Sequence, residues 1–254
     1  MANGLQGVLL GRIGKAFPAF KVKNYRYFWI GQLISVMGTW MQTAAQSWLV
    51  LTITDSPFLL GLLGVAQFTP VLAFSLLAGV FVDRFPKRSI LLITQFASML
   101  LAFALAVLVF TNTVQYWHIF LLSFGLGVVK ALDIPARQSF MIELVGKDVL
   151  LNAIALNSTV FNLARIVGPA VAGILMAMVG AGWCFLINGI TFIAVILGIF
   201  KIDVRPVINK RPRGTVLPDI KEGLAYLVKS PILTTTTLML AIVSTFGMNY
   251  SVLI

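Results

Sequence analysis

Lys130, Asp133 and Arg137 stand three and four residues apart inside a largely apolar run, a spacing that places all three on one face of a helix. A charge at the centre of a bilayer costs about 2.5–3.5 kcal/mol on insertion scales. Three on one face make sense if Asp133 is shared between the two cations and the face lines protein or water. The bland reading puts all three near the membrane surface with a structural role; Arg137 fits that reading best, and Lys130 lies about 10 Å deeper by helical rise. Arg165 is the other deep charge, about 21 Å along its own apolar run. It needs a buried partner, with Asp133 one candidate, or a water-filled cavity where it would attract an anionic group. Amides form a third set: Gln42 and Gln46, four apart on one face, and Asn157 and Asn162 further on. Unpaired amides are costly in lipid, so these point inward, as interhelical hydrogen bonds or as cavity-lining groups.

A different concentration of charge occurs in GVFVDRFPKRS, residues 79–89, where Asp83, Arg84, Lys87 and Arg88 crowd a short turn between apolar runs. Gly79 would allow a helix to approach closely, Asp83 could accept backbone or cationic donors, and Pro86 shapes the turn. Taken alone, the cluster is equally well read as a solvated basic turn.

Other chemistry is poorly supplied. Cys184 and His118 are each the sole residue of their type, which rules out an intrachain disulfide and a CxxC site and leaves no partner set for zinc. No HExxH, GxSxG or GxxxxGK[ST] occurs, so neither an enzyme nor an ATP-driven machine is indicated. No catalytic residue, metal or cofactor is expected.

The elements that must position these residues follow from composition. The chain has 254 residues, 59% apolar and only 11% charged, with mean hydropathy +0.97, against about 25% charged in a soluble domain. Seven segments approach the roughly 20 apolar residues that cross a bilayer: 27–53, 58–82, 89–110, 118–140, 151–179, 183–200 and 232–254. Long continuous runs favour helices over alternating barrel strands. The net charge of +11 sits in short segments between spans and forms no basic face for nucleic acid.

Arg12, Lys15, Lys21, Lys23 and Arg26 precede the first span, and Arg84, Lys87, Arg88, Lys147 and the cations of 201–229 fall in alternate connections. TDSP, TNTVQYWH and VGAGW carry no Lys or Arg. The positive-inside rule makes the basic side, with the N-terminus, cytoplasmic. The chain divides into an N-terminal segment 1–24, a six-helix bundle 25–200, a basic linker 201–231 and a seventh span 232–254. Within the linker, Ile220, Leu224, Leu227 and Val228 have the spacing of a surface amphipathic helix. Tyr25, Tyr27, Trp29, Tyr116, Trp117 and Trp183 near span ends read as an interfacial belt. The blunt apolar ending, SVLI, raises the expectation of a longer parent chain.

The turn Gly79-x-x-x-Asp83-Arg84-x-x-Lys87-Arg88 resembles the loop signature of the major facilitator superfamily, with Pro86 where that pattern usually has Gly. DIPARQ at 133–138, LNSTVFNLARIVGPAVAG at 156–173, NYRYFWIGQLIS and DIKEGLAYLVKSPIL are similar to its drug- and siderophore-exporting branch, the enterobactin exporter-like group. The resemblance implies an all-α, polytopic fold: a six-helix N-terminal bundle built from 3+3 inverted repeats, a cytoplasmic connector and a seventh span. It also implies a multi-pass protein of the bacterial inner membrane that works as a secondary transporter, with proton-coupled antiport of a small-molecule drug or siderophore by alternating access. A C-terminal half or partner chain would complete it; a non-transporting half or membrane scaffold is the alternative. By the same resemblance Gly79, Asp83, Arg84, Lys87, Arg88 and Arg137 belong to a gating latch, and Gly168, Pro169 and Gly173 to a helix-packing antiporter motif. Lys130, Asp133 and Arg165 are then coupling candidates, and Gln42, Gln46, Asn157 and Asn162 line the cavity.

Overall fold

The computed structural model describes residues 17–203 and 230–247. A 3-10 turn at Pro18–Lys21 leads into α1 Lys23–Thr54, α2 Pro57–Arg84, α3 Lys87–Phe110, α4 Tyr116–Val145, α5 Leu150–Val179, α6 Ala181–Phe200 and α7 Pro231–Gly247. No strand occurs among the described residues, as an all-α membrane protein requires. Arg12, Lys15, most of the linker and its amphipathic stretch from Ile220 to Val228 lie outside them.

Local chemistry sets the helix ends. Asp55 stops α1 in the left-handed region at φ 48°, a conformation Asp tolerates better than most residues. Ser56 then accepts the Leu59 N–H at 3.4 Å, and Pro57 opens α2, the usual hydroxyl cap and first-turn proline. His118 finds its use here too: its Nδ1 accepts the Gln115 N–H at 3.1 Å in a capping box at the start of α4. Gly180, at φ 93°, makes the one-residue corner between α5 and α6 where a Cβ would be strained.

The helices pack as a path, α5–α1–α6–α3–α4–α2. Exchanging α1, α2 and α3 with α4, α5 and α6 leaves that pattern of neighbours unchanged. Because each triplet has an odd number of passes, its copy runs the opposite way, which is the inverted-repeat plan. Close glycine contacts mark equivalent seams: a Cβ on Gly168 of α5 would come within 2.6 Å of Trp40 Cβ in α1, and one on Gly127 of α4 within 2.5 Å of the Gln67 carbonyl in α2. The end helices α2 and α5 are the least buried of the apolar helices.

Helices α2 to α6 are each long and apolar enough to cross a membrane. With 32 residues α1 has the length, but its amides make it more polar. The distribution of polarity is the reverse of a water-soluble fold. Phe58, Leu72, Leu151 and Ile166 are each more than 70% exposed, whereas Gln32, Gln42, Gln46, Gln95 and Asn188 are each at most 7% exposed. Lipid-facing helices need an apolar outside and can keep their polar groups only where these bond one another.

Candidate functional site

Both carboxylate oxygens of Asp133 are engaged. Arg137 donates through Nε and Nη2 to Oδ2, at 3.0 and 2.7 Å, across one turn of α4. Thr94 Oγ1 and Gln95 Nε2 of α3 donate to Oδ1, each at 2.7 Å. The carboxylate thus ties α3 to α4. Lys130, one turn earlier, makes no hydrogen bond or ion pair among the described residues, though it stands within Coulombic reach of Asp133. The expected sharing of Asp133 between two cations does not form. The planar guanidinium fork matches a carboxylate better than a point-like ammonium, and α3 supplies the donors for the remaining oxygen. Pairing of Asp133 with Arg165 does not form either: Asp133 takes its donors from α3 and α4, and Arg165 stands against Trp40 of α1.

The charged turn separates into two parts. Lys87, the first residue of α3, is buried and pairs with Glu143 in the last turn of α4 at 3.3 Å. Arg88 Nη2 donates to the Phe200 carbonyl at 3.1 Å, covering one of the carbonyls that the end of α6 leaves without an intrahelical partner. Asp83, by contrast, is exposed and makes no hydrogen bond or ion pair among the described residues, and Arg84 beside it is exposed as well. Arg137 is committed to Asp133, not to the turn. Around Gly79 a Cβ would meet nothing within 4 Å, so among the described residues no helix approaches closely at that point.

Amides in the middle of the bundle are spent on helix contacts. Asn188 Nδ2 of α6 donates to Gln42 Oε1 at 2.6 Å, Gln46 Nε2 donates to Ser123 Oγ of α4, and Gln32 Nε2 donates to Asn157 Oδ1 of α5 at 2.6 Å. Gln42, Gln46 and Ser123 border a cavity of only about 10 Å³ closed by Leu101, Leu105, Leu122 and Leu126. That is room for one water at most. Asn162 is exposed, with Nδ2 donating to the Ser158 carbonyl of its own helix at 2.8 Å. Of the four cavity candidates, therefore, three serve as interhelical bonds here and one faces outward.

Arg165 and Asn162 share the exposed side of α5. The Arg165 guanidinium stands 5.9 Å from the ring centroid of Trp40 in α1, at the edge of cation–π range. Trp40 in turn meets Phe161 edge to face at 5.5 Å. Gly168 makes this seam possible by its contact with Trp40 Cβ, and Pro169 follows it inside α5. Gly173 has no such neighbour among the described residues, where a Cβ would meet nothing within 4 Å. Of the six interfacial aromatics, Trp117 and Trp183 are well exposed, but Tyr25 is buried and donates to the Ala153 carbonyl at 3.1 Å.

Residues 14–253 match the family model described as transmembrane secretion effector, MFS_3. The chain belongs to this family of the major facilitator superfamily. It is 30% identical to the staphyloferrin A transporter of Staphylococcus aureus over 174 residues, which is 68% of this chain and 44% of that protein. Identity to the multidrug efflux pump Tap of Mycolicibacterium fortuitum is 27% over 218 residues, 80% of this chain and 51% of the relative. The enterobactin exporter EntS of Shigella boydii is 22% identical over 218 residues, 86% of this chain and 51% of the relative. The chain spans about half the length of the curated relatives it matches.

Membership of the secretion effector family gives the charge clusters a setting in a multi-pass membrane protein. The residues that sequence reasoning missed are the partners. Glu143, Thr94, Gln95, Ser123, Asn188 and Gln32 complete contacts whose other halves were visible as isolated charges or amides. Glu143 carried one available signal, an acid in the last helical turn of a span facing a basic turn. The others carried none, because a polar residue on one helix does not name its partner on another.

Proposed function

We propose that the chain supplies the first half of a secondary active transporter that exports a drug- or siderophore-type small molecule by proton-coupled alternating access. Its N-terminus and basic turn would lie in the cytoplasm of a bacterium, in line with the cations of the alternate connections. A second helical bundle would complete the cavity, in keeping with relatives of which the match to this chain covers about half. The observation that carries the reading is the Asp133 clamp: a carboxyl group held by α3 and α4 within an apolar bundle of a transporter family. Intramembrane ionisable groups mark relays and pathways in such proteins. Exporters among the relatives favour transport over a non-transporting half or scaffold.

Within this reading Lys87 and Arg88 anchor the turn to α4 and α6, and exposed Asp83 is the group that would engage the other half as the transporter rocks. Asp133 is the proton-linked candidate, since protonation would release Arg137, with Lys130 positioned to respond. Energised export of a dye panel from cells carrying the full-length protein tests this. Loss of export with Asp83→Asn and Asp133→Asn, at normal membrane abundance, is the expected result. Unchanged export in both variants would remove the latch and the coupling role together.

A further inference from the structure

Arg165 poses a problem that no described residue solves. It sits near the middle of α5, Leu150–Val179, opposite Trp40 near the middle of α1, Lys23–Thr54, which is bilayer depth. It is exposed, and among the described residues it makes no hydrogen bond or ion pair; its guanidinium stands 5.9 Å from the Trp40 ring centroid. A guanidinium carries five N–H donors, and at that depth their desolvation must be met by an anion or by water. The Trp40 side chain has no acceptor atom to offer, so the N–H donors of Arg165 stay available. Ser158 and Asn162, seven and three residues before it and so at helical spacing, continue the same exposed side of α5. Phe161, 52% exposed, and the edge of Trp40 supply apolar ring surface beside the charge.

We infer that the α1–α5 seam is a substrate subsite for an organic anion, a carboxylate carried on a planar or ring-bearing body. The anion takes the edge donors of Arg165, and the ring lies against Phe161 and Trp40. The clamp at Asp133 cannot serve this purpose, because its cation is already neutralised. Gly168 has a place in this design: by letting α5 close on Trp40 it sets the aromatic platform at the height of Arg165. The inference rests on the transport reading and adds the cargo chemistry to it.

Equilibrium dialysis of the purified full-length transporter in nanodiscs, with 2-naphthoate and its neutral isostere 2-naphthamide, tests the subsite. The wild type should bind the acid about tenfold more tightly than the amide, the scale of one hydrogen bond to a charged group. Arg165→Gln should bring the two ligands to parity, and Arg165→Lys should keep a reduced preference for the acid. Trp40→Leu should weaken both ligands while leaving the preference for the acid. Equal binding of acid and amide by the wild type, or an unchanged preference in Arg165→Gln, overturns the subsite. So does a fall in unfolding temperature of several degrees in Arg165→Gln without any anion preference in the wild type, which would mean that an acid elsewhere in the protein pairs with Arg165. Energised export is read separately: anion binding that depends on Arg165 with no export of any cargo would sink the transport reading and spare the subsite. Export with no anion preference would sink the subsite alone.

Discussion

Arg137 and Arg165 are both guanidinium groups within long helices, and the bundle treats them in opposite ways. Arg137 is part-buried and bonded twice to Asp133, in a junction that also takes donors from α3. Arg165 is exposed on α5, rests over Trp40 and meets no acid among the described residues. The difference follows from the place of each helix in the path. Helix α4 has neighbours on both sides and can complete a polar network, whereas α5 ends the path and presents one side outward. The first charge holds the half-bundle together; the second is available for something that approaches it. Position along a helix says how deep a charge lies, and position in the packing order says whether the charge is used up.

The largest expected effect breaks the closed side of this comparison. Asp133→Ala strands part-buried Arg137, a loss approaching the ~3–5 kcal/mol of removing one partner from a fully buried pair. A thermal melt of the full-length protein should fall well below wild type, with Asp133→Asn intermediate and an Asp133→Asn/Arg137→Gln double variant partly restored. The Lys87–Glu143 pair comes next, since Lys87 is buried: Glu143→Gln should cost about 1–3 kcal/mol, the penalty of an unsatisfied buried group. The charge-swapped double variant should recover part of it.

Glycines sharpen the comparison at the seam. Gly168→Ala forces a Cβ against Trp40 and should destabilise by about 1–3 kcal/mol, as overpacking does. Gly173→Ala faces open space and should gain a few tenths of a kcal/mol, up to about 1, from helix propensity. Gln42→Leu removes one interhelical bond to Asn188, worth about 0.6 kcal/mol on average in membrane proteins, and the same melt checks it. Smallest of all, Arg165→Gln should stay within about 0.5 kcal/mol of wild type, as for a surface substitution.

Much of this was legible before any coordinates, for definite reasons. Bilayer thickness writes itself into sequence as run length, so α2 to α6 were readable as spans. Intrahelical spacing is equally direct, and the Asp133–Arg137 pair follows from a step of four. Motif resemblance located the basic turn and the close contact at Gly168. Pairings across helices were not legible: Lys87 with Glu143, and Gln42 with Asn188, depend on which helices become neighbours, and apolar periodicity carries no record of that in lipid. Exposure of Arg165 was illegible for the same reason. Gly79 and Gly173 show the converse, for a small residue in a motif permits a close approach, and none is made to either among the described residues.

One side-by-side measurement bears most directly on the contrast between the two cations: thermal unfolding of full-length Arg137→Gln and Arg165→Gln, each paired with 2-naphthoate and 2-naphthamide binding. The expected result is a melt lowered by several degrees with anion preference intact for Arg137→Gln, and an unchanged melt with anion preference lost for Arg165→Gln. The reverse pattern, a destabilised Arg165→Gln beside a stable Arg137→Gln, would contradict the division between a cation that closes the bundle and one that meets the cargo.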